Sequence, residues 1–280
     1  MPISLKPLQP FIGAEVLDFS LADATVEELN ELRAALLAHK VLFLRDQAFD
    51  RARHVAIGRV FGELETHPLS AHPEHPEILQ IKSKDGIVSH KRETAADFWH
   101  SDTTFRERPS AISILKAYQL PGIGGDTLWA NMAAVYEGLS GDVRKTIDQL
   151  DAYHDGLKLF SWYLDTADKQ NAFRSSYPVQ RHPVVRIHPE TGEKLLFVNS
   201  AFTTSLVGLD AAESNELLRH LNDEVKRPEY QVRFRWEPGS VAIWDNRSTQ
   251  HYGVVDYSEP RHLERVTVIG EKPFGRSALD

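Results

Sequence analysis

Apolar and polar positions alternate over residues 3–18, which also carry Pro7, Pro10 and Gly13. This pattern predicts a short strand, a turn and a second strand through Ala14, Glu15 and Val16, forming an edge or lid hairpin. The period then changes. Thr25 stands before Val26, Glu27 and Glu28, a helix start with acids in its first turn, and Leu29, Leu32, Leu36 and Leu37 recur at helical spacing. A helix over about 25–39 is expected, then a buried strand at 40–44 and a helix over 50–62 closed by Phe61-Gly62. From His67 to Pro76 the prolines exclude regular structure and place His67, His72 and His75 in a rigid loop.

Ile78-Leu79-Gln80-Ile81 and Ala111-Ile112-Ser113-Ile114-Leu115 read as strands. Residues 82–97 between them are polar and aperiodic, as active-site covers often are. The stretch 121–129, with Gly122, Gly124 and Gly125, reads as a loop whose glycines permit unusual backbone angles or close approach. It lacks the Gly-Lys-Thr and following pattern of a nucleotide site. Helices are expected from Asn131 through Leu139 and over 141–150. Residues 155–182 are aromatic and polar by turns without a clean period, which suggests a second cover or an oligomer contact. Short strands follow at 184–187, 195–198, 232–236, 241–244 and 266–269, interrupted by a helix over about 210–226. Pro189 to Gly192 and Glu237 to Ser240 read as hairpin turns.

Many short strands with tight turns predict a mainly β fold with α elements, a sandwich or jelly roll with helical decorations. No linker, repeat or low-complexity segment divides the 280 residues, so one domain over 1–280 is expected. With 41% hydrophobic residues the chain can build a substantial core, and its formal charge of −8 argues against nucleic acid or anionic lipid as a partner. The absence of cysteine removes disulfides, thiolate catalysis and sulfur-ligated metals. The N-terminus has no signal-peptide pattern and no run of about eighteen apolar residues occurs, so a cytoplasmic protein is expected.

The candidate chemistry lies in Phe98-Trp99-His100-Ser101-Asp102-Thr103-Thr104-Phe105 and Trp244-Asp245-Asn246-Arg247-Ser248-Thr249-Gln250-His251. On an extended segment His100 and Asp102 share a face, and His251 can supply a third ligand from the end of a strand. Two imidazoles and one carboxylate with an open face suit non-haem Fe(II), and equally a hydrolytic Zn2+. Arg261 and Arg265 share a strand face about 13 Å apart if extended. Two guanidiniums inside a cleft would need two anions, gripped in paired charge-assisted bonds.

His100 to Phe105, Gly124-Gly125-Asp126-Thr127-Leu128-Trp129, His182 to Arg186, Trp244 to Arg247, Thr249 to Tyr252 and Arg265 through Gly270-Glu271-Lys272-Pro273 together resemble the taurine dioxygenase family. The resemblance runs from the Ile12-Gly13-Ala14 turn to Pro273. It implies a double-stranded β-helix, a cupin-like jelly roll with flanking helices, and an Fe(II)- and 2-oxoglutarate-dependent dioxygenase using O2. His100, Asp102 and His251 would be the iron ligands, and Thr127 and Arg261 would hold the far carboxylate of 2-oxoglutarate. Arg265, assisted by His67, would face the anionic group of a small organic substrate, with Thr103 and Phe202 also at the substrate. The expected reaction is hydroxylation next to the heteroatom of an alkyl sulfate ester or sulfonate, giving an aldehyde and sulfate or sulfite, with succinate and CO2.

Ser70 stands where the family pattern has an aromatic residue and Ala96 where it has an amide, which counts against an ammonium-bearing substrate such as taurine. Phe105, Phe160 and Phe202 suit an alkyl or aryl tail instead. An aryloxyalkanoate or other carboxylate is the alternative substrate. A Zn-dependent hydrolase and a non-catalytic anion-binding jelly roll are the alternatives of other classes. Relatives of this kind form dimers or tetramers, so a homo-oligomer is implied.

Overall fold

The computed structural model describes residues 3–66, 71–83 and 98–275. It opens with β1 (Ser4–Pro7), β2 (Ala14–Leu17), α1 (Val26–His39), β3 (Val41–Leu44), α2 (Arg51–Phe61) and β4 (Ile78–Ser83). Then come β5 (Ser110–Gln119), β6 (Thr127–Asn131), α3 (Met132–Gly138), α4 (Gly141–Ile147), β7 (Asp151–His154), α5 (Leu157–Phe160) and α6 (Ala167–Ser176). The rest comprises β8 (Gln180–Pro183), β9 (Val185–Ile187), β10 (Lys194–Leu196), β11 (Thr203–Leu206), α7 (Ala211–Glu224), β12 (Gln231–Phe234), β13 (Val241–Asp245), β14 (Thr249–Gly253) and β15 (Arg261–Ile269).

The helix signals act as the sequence suggests. Thr25 accepts a bond from Glu28 N at 3.2 Å while Glu28 accepts one from Thr25 N at 2.8 Å, so two otherwise unpaired donors at the start of α1 are satisfied reciprocally. Asp50 caps α2 through Arg53 N, and Asp210 and Glu213 form a second capping box on α7.

A seven-stranded sheet, in the order β1-β2-β3-β13-β5-β15-β4, forms one wall. β3 and β13 at its centre are buried on both faces and therefore read as apolar runs rather than alternations. Leu42, Leu44, Ile112, Ile114, Ile243 and Val266 point to one side, where Leu29, Leu32 and Leu36 of α1 and Val55 and Ile57 of α2 cover them. Val41, Phe43, Leu115, Ala242, Trp244 and Leu263 point to the other side and meet Trp129 of β6 and Val232 and Phe234 of β12. Phe43 stacks on Phe234 with ring centroids 4.1 Å apart. The opposing wall is made of β12-β6-β14 and β11-β7-β8, with β9 and β10 as a separate hairpin. Two walls, antiparallel except where β2 joins β3, face each other across an aromatic core and make the mainly β jelly roll with flanking helices that the sequence implies.

Several expectations are corrected. Glu237 to Ser240 does form a tight turn, with Ser240 N donating to Glu237 O at 3.0 Å, but no hairpin. β12 pairs with β6, and β13 with β3 and β5, so this turn carries the chain from one wall to the other. The glycine loop ends earlier than expected because Thr127, Leu128 and Trp129 already belong to β6, paired with β14 and β12. Within 155–182, α5, α6 and β8 replace an aperiodic cover. β7 and β11 were hidden because each is four residues long and mixes polar with apolar positions. Of the cover expected at 82–97, only Lys82 and Ser83, at the end of β4, lie within the described residues.

On the helical side of the wall, His54 of α2 is fully buried and its Nε2 lies 3.0 Å from Ile114 O. Burial pushes the His54 imidazole down to about 4, against the pull of that carbonyl. Its folded pKa is lowered from 6.5, so the unfolded chain takes up the proton first and stability is lost as pH falls from about 6.5 to about 4. Urea titrations across this window should show a loss on the order of 3 kcal/mol from this residue. In His54→Gln, which keeps a donor for Ile114 O but cannot take up a proton, that part of the slope should vanish; an unchanged slope would refute the assignment.

Candidate active site

The turn between β13 and β14 sets the position of His251. The fully buried Asp245 accepts bonds from Arg247 N at 2.8 Å and Arg247 Nη2 at 2.6 Å, and its Oδ2 lies 3.0 Å from His188 Nε2. Burial alone would raise the Asp245 carboxyl, but Arg247 and His188 hold it well below the usual carboxylate range. This fixed turn leads into β14, where His251 lies opposite Trp129 of β6. His251 is therefore mid-strand, not beside a turn.

The segment carrying His100 pairs with β14 at one point. His100 N donates to His251 O at 3.1 Å and His251 N donates to His100 O at 2.8 Å. That reciprocal bridge sets the two imidazoles side by side, with ring centroids 4.2 Å apart. His100 Nε2 and His251 Nε2 each lie 3.8 Å from Asp102 Oδ1. One ligand atom from each residue falls within 4.8 Å of the others, close enough to hold one metal ion. His100 Nδ1 lies 2.6 Å from Phe98 O, so it carries the proton and leaves Nε2 as the free lone pair. Burial pushes both imidazoles below their ordinary range, and for His251 the neighbouring His100 pushes further. Both are thus neutral at pH 7, as ligation requires.

Asp102 is held ionised although it is buried. Desolvation would raise its carboxyl, but Arg265, then His251 and His100, outweigh it and keep it far below the usual range. Arg265 Nη1 donates to Asp102 Oδ1 at 2.8 Å and Ser113 donates to Oδ2 at 3.1 Å. Asp102 N donates to Asn246 Oδ1 at 3.2 Å. The donor set of two neutral imidazoles and one carboxylate fits a divalent ion with open positions.

Arg261 and Arg265 point from the same face of β15 into the space between the walls, and each is only 8% exposed. Arg261 Nη2 donates to Gly125 O at 3.0 Å, its Nε is buried without a partner, and no ion pair holds it among the described residues. A buried guanidinium in this condition is suited to an anion. A Cβ on Gly125, whose φ is +73°, would stand 3.2 Å from Arg261 Nε. Those glycines therefore let the chain approach Arg261 and the Asp256 segment rather than a nucleotide. Thr127, two residues on, is buried, and its hydroxyl accepts from Trp236 Nε1 at 3.0 Å. Arg265 lies at the metal ligands themselves, with its Nε buried and unpartnered.

Phe202 meets His100 edge-on with centroids 6.3 Å apart. Phe105 lies 5.1 Å from Phe202 and 5.7 Å from Phe160, so the three aromatics picked from the sequence do cluster beside the ligands. Phe173 and Tyr177, from the region without a clear period, complete the cluster. Thr103 is turned elsewhere. It adopts φ +51°, unusual for a β-branched residue, and its hydroxyl accepts from Ser110 N at 3.0 Å and lies 2.7 Å from Ser110 Oγ. Those bonds close the turn after Asp102. His67, Ser70 and Ala96 lie outside the described residues.

Sequence reasoning missed Ser113, Asn246 and Trp236. A signal existed for Ser113, the single polar residue in the run Ala111 to Leu115, whose alternation turns it toward the interior with Leu115. Asn246 carries no such signal, because a polar residue in a turn needs no explanation.

Residues 4–267 match the family model described as "Taurine catabolism dioxygenase TauD, TfdA family". The chain is 36% identical to an alpha-ketoglutarate-dependent sulfate ester dioxygenase of Pseudomonas putida, over 98% of this chain and 92% of that protein. It is also 36% identical to an alkylsulfatase of Acinetobacter baylyi, over 99% of this chain and 88% of that one. A crystal structure of a taurine dioxygenase from Burkholderia xenovorans superposes with a TM-score of 0.84 at 37% identity, covering 99% of this chain and 92% of that chain.

The triad geometry predicts that one equivalent of Mn(II) binds the protein. Asp102→Ala and His251→Ala should each weaken binding by about 100-fold or more, read by the electron paramagnetic resonance of free Mn(II). Variants that bind as tightly as the unsubstituted chain would remove these residues as ligands.

Proposed function

The chain belongs to the TauD/TfdA family of alpha-ketoglutarate-dependent dioxygenases, and from that premise we propose that it oxidises a small alkyl sulfate ester or sulfonate at the carbon next to the heteroatom. One observation carries this reading: two buried guanidiniums on one strand face, Arg265 at the metal ligands and Arg261 beside Gly125, each with an unpartnered Nε. Arg261 has no ion pair among the described residues and suits the far carboxylate of a dicarboxylate co-substrate, while Arg265, paired with Asp102 through Nη1, keeps its Nε for an anionic prime substrate. A hydrolase would leave Thr127 and Arg261 without a role, and a non-catalytic anion-binding module would need no iron and turn over no 2-oxoglutarate.

His100, Asp102 and His251 would hold Fe(II). Bound there with 2-oxoglutarate, the ion supplies the chemistry that turns O2 into an oxidant for an unactivated C–H bond, with succinate and CO2 as co-products. Arg261 would pair with the far carboxylate of 2-oxoglutarate, and Thr127 would fix its orientation by hydrogen bonding. Arg265 would receive the sulfate or sulfonate head through its free Nε, which sets the neighbouring carbon close to the metal. His67 would assist at that head group. Phe202, with Phe105 and Phe160 behind it, would pack against an apolar tail and exclude water. Hydroxylation of the carbon bonded to the ester oxygen gives an adduct that loses sulfate as its hydroxyl proton leaves, forming an aldehyde; a sulfonate loses sulfite in the same way.

The test is succinate formation by Fe(II)-loaded protein supplied with 2-oxoglutarate, O2 and, separately, alkyl sulfates, alkanesulfonates, aryloxyacetates and taurine. Succinate released in step with an aldehyde and sulfate or sulfite is the expected result; turnover confined to aryloxyacetates would overturn the substrate reading. Arg261→Ala should mainly raise the apparent KM for 2-oxoglutarate, and Arg265→Ala should mainly impair prime-substrate use. Each loses charge-assisted bonds worth on the order of 1.5–3 kcal/mol. Equal, mild effects of both variants on both substrates would sink the assignment.

A further inference from the structure

The donors and acceptors around Asp102 form a closed circuit whose direction has one solution. Trp244 Nε1 lies 2.9 Å from one terminal atom of the Asn246 side chain, and Asp102 N lies 3.2 Å from the same atom. Indole and backbone N–H groups can only donate, so that atom is the amide oxygen and the other is the NH2 group. Asn246 Nδ2 faces Ser113 Oγ at 2.8 Å and must donate to it. With that bond accepted, the Ser113 proton is free to be given, and the acceptor facing it at 3.1 Å is Asp102 Oδ2. All four residues are buried, so water does not compete for these bonds.

This circuit divides the two carboxylate oxygens. Oδ2 is turned to Ser113, while Oδ1 faces both imidazole Nε2 atoms at 3.8 Å and takes the bond from Arg265. We propose that Ser113 and Asn246 are positioning residues that present Asp102 to the metal through one oxygen, and so set the affinity and geometry of the ion bound there. The inference rests on the reading of His100, Asp102 and His251 as metal ligands. It assigns the polar break in β5 a role in ligation, and the tryptophan and asparagine flanking Asp245 a role in orienting it.

The direction of the circuit also fixes which substitutions matter. Without the Ser113 hydroxyl, Oδ2 loses its donor and the carboxylate is free to rotate and offer both oxygens. Threonine keeps the hydroxyl and valine has the same shape without it, so the pair Ser113→Thr and Ser113→Val separates the bond from the added bulk. Ser113→Ala removes the hydroxyl without adding volume.

The experiment is Mn(II) titration of the four proteins, read by the electron paramagnetic resonance of free Mn(II), alongside the visible absorption of the anaerobic Fe(II) and 2-oxoglutarate complex. The Val and Ala variants should bind Mn(II) about 10- to 100-fold more weakly than the unsubstituted chain, with a displaced absorption band, while Thr stays close to it in both readouts. A purely structural role would lower the thermal midpoint without separating Thr from Val in metal affinity or moving the band. Equal Mn(II) affinity in Thr and Val, or an Ala variant that binds as the unsubstituted chain does, would overturn the proposal. An unsubstituted chain that takes up no Mn(II) would overturn the ligand reading beneath it as well.

Discussion

A carboxylate buried between two walls of a β sandwich is costly unless its charge is answered on the spot. Asp102 is answered on both oxygens, by Arg265 and by Ser113. Arg265 comes from β15, Ser113 from β5 and Asp102 from the loop before β5, so this one charge ties the loop to two neighbouring strands of the larger sheet. The histidines add the second tie. Their backbone bridge attaches the same loop to β14 in the opposing wall. The metal site is thus where the two walls are joined by polar groups rather than by the tryptophan and phenylalanine core below it.

Much of this was legible in the chain. The helix caps at Thr25 and Asp210 and the buried runs around Val41 and Val241 are local signals, written in residues three or four apart or in unbroken apolar stretches. The arginines at 261 and 265 were legible because strand alternation puts them on one face, whereas His100 and Asp102 converge through a single bridge and the turn that follows it. What the chain did not reveal is which wall each strand joins. The turn at Glu237 to Ser240 has hairpin chemistry, yet β12 and β13 separate because Phe234 must stack on Phe43 across the core while Ile243 packs under α1. The turn at Thr103 was not legible either. A β-branched residue gives no local sign of positive φ, and the left-handed turn sets its hydroxyl against Ser110.

The electrostatic design separates three jobs that one cation could not do together. Arg247 neutralises Asp245 and fixes the turn, Arg265 neutralises Asp102 and fixes a ligand, and Arg261 is left without an ion pair among the described residues. Burial pushes the Arg261 guanidinium below its ordinary basicity, with Tyr257, Asp126 and Asp256 offsetting it only in part, a cost that an entering anion would reduce.

The bridge between His100 and His251 has a consequence for the folding of the chain. It joins residues more than half the sequence apart, and neither imidazole meets the other until both walls have closed. No fragment holding only one of them can present the full ligand set, so an ion that needs all three residues binds the native state and ignores the unfolded one. Free metal then shifts the folding equilibrium toward the closed sandwich by mass action, and ion uptake during refolding becomes a clock for the joining of these two distant segments.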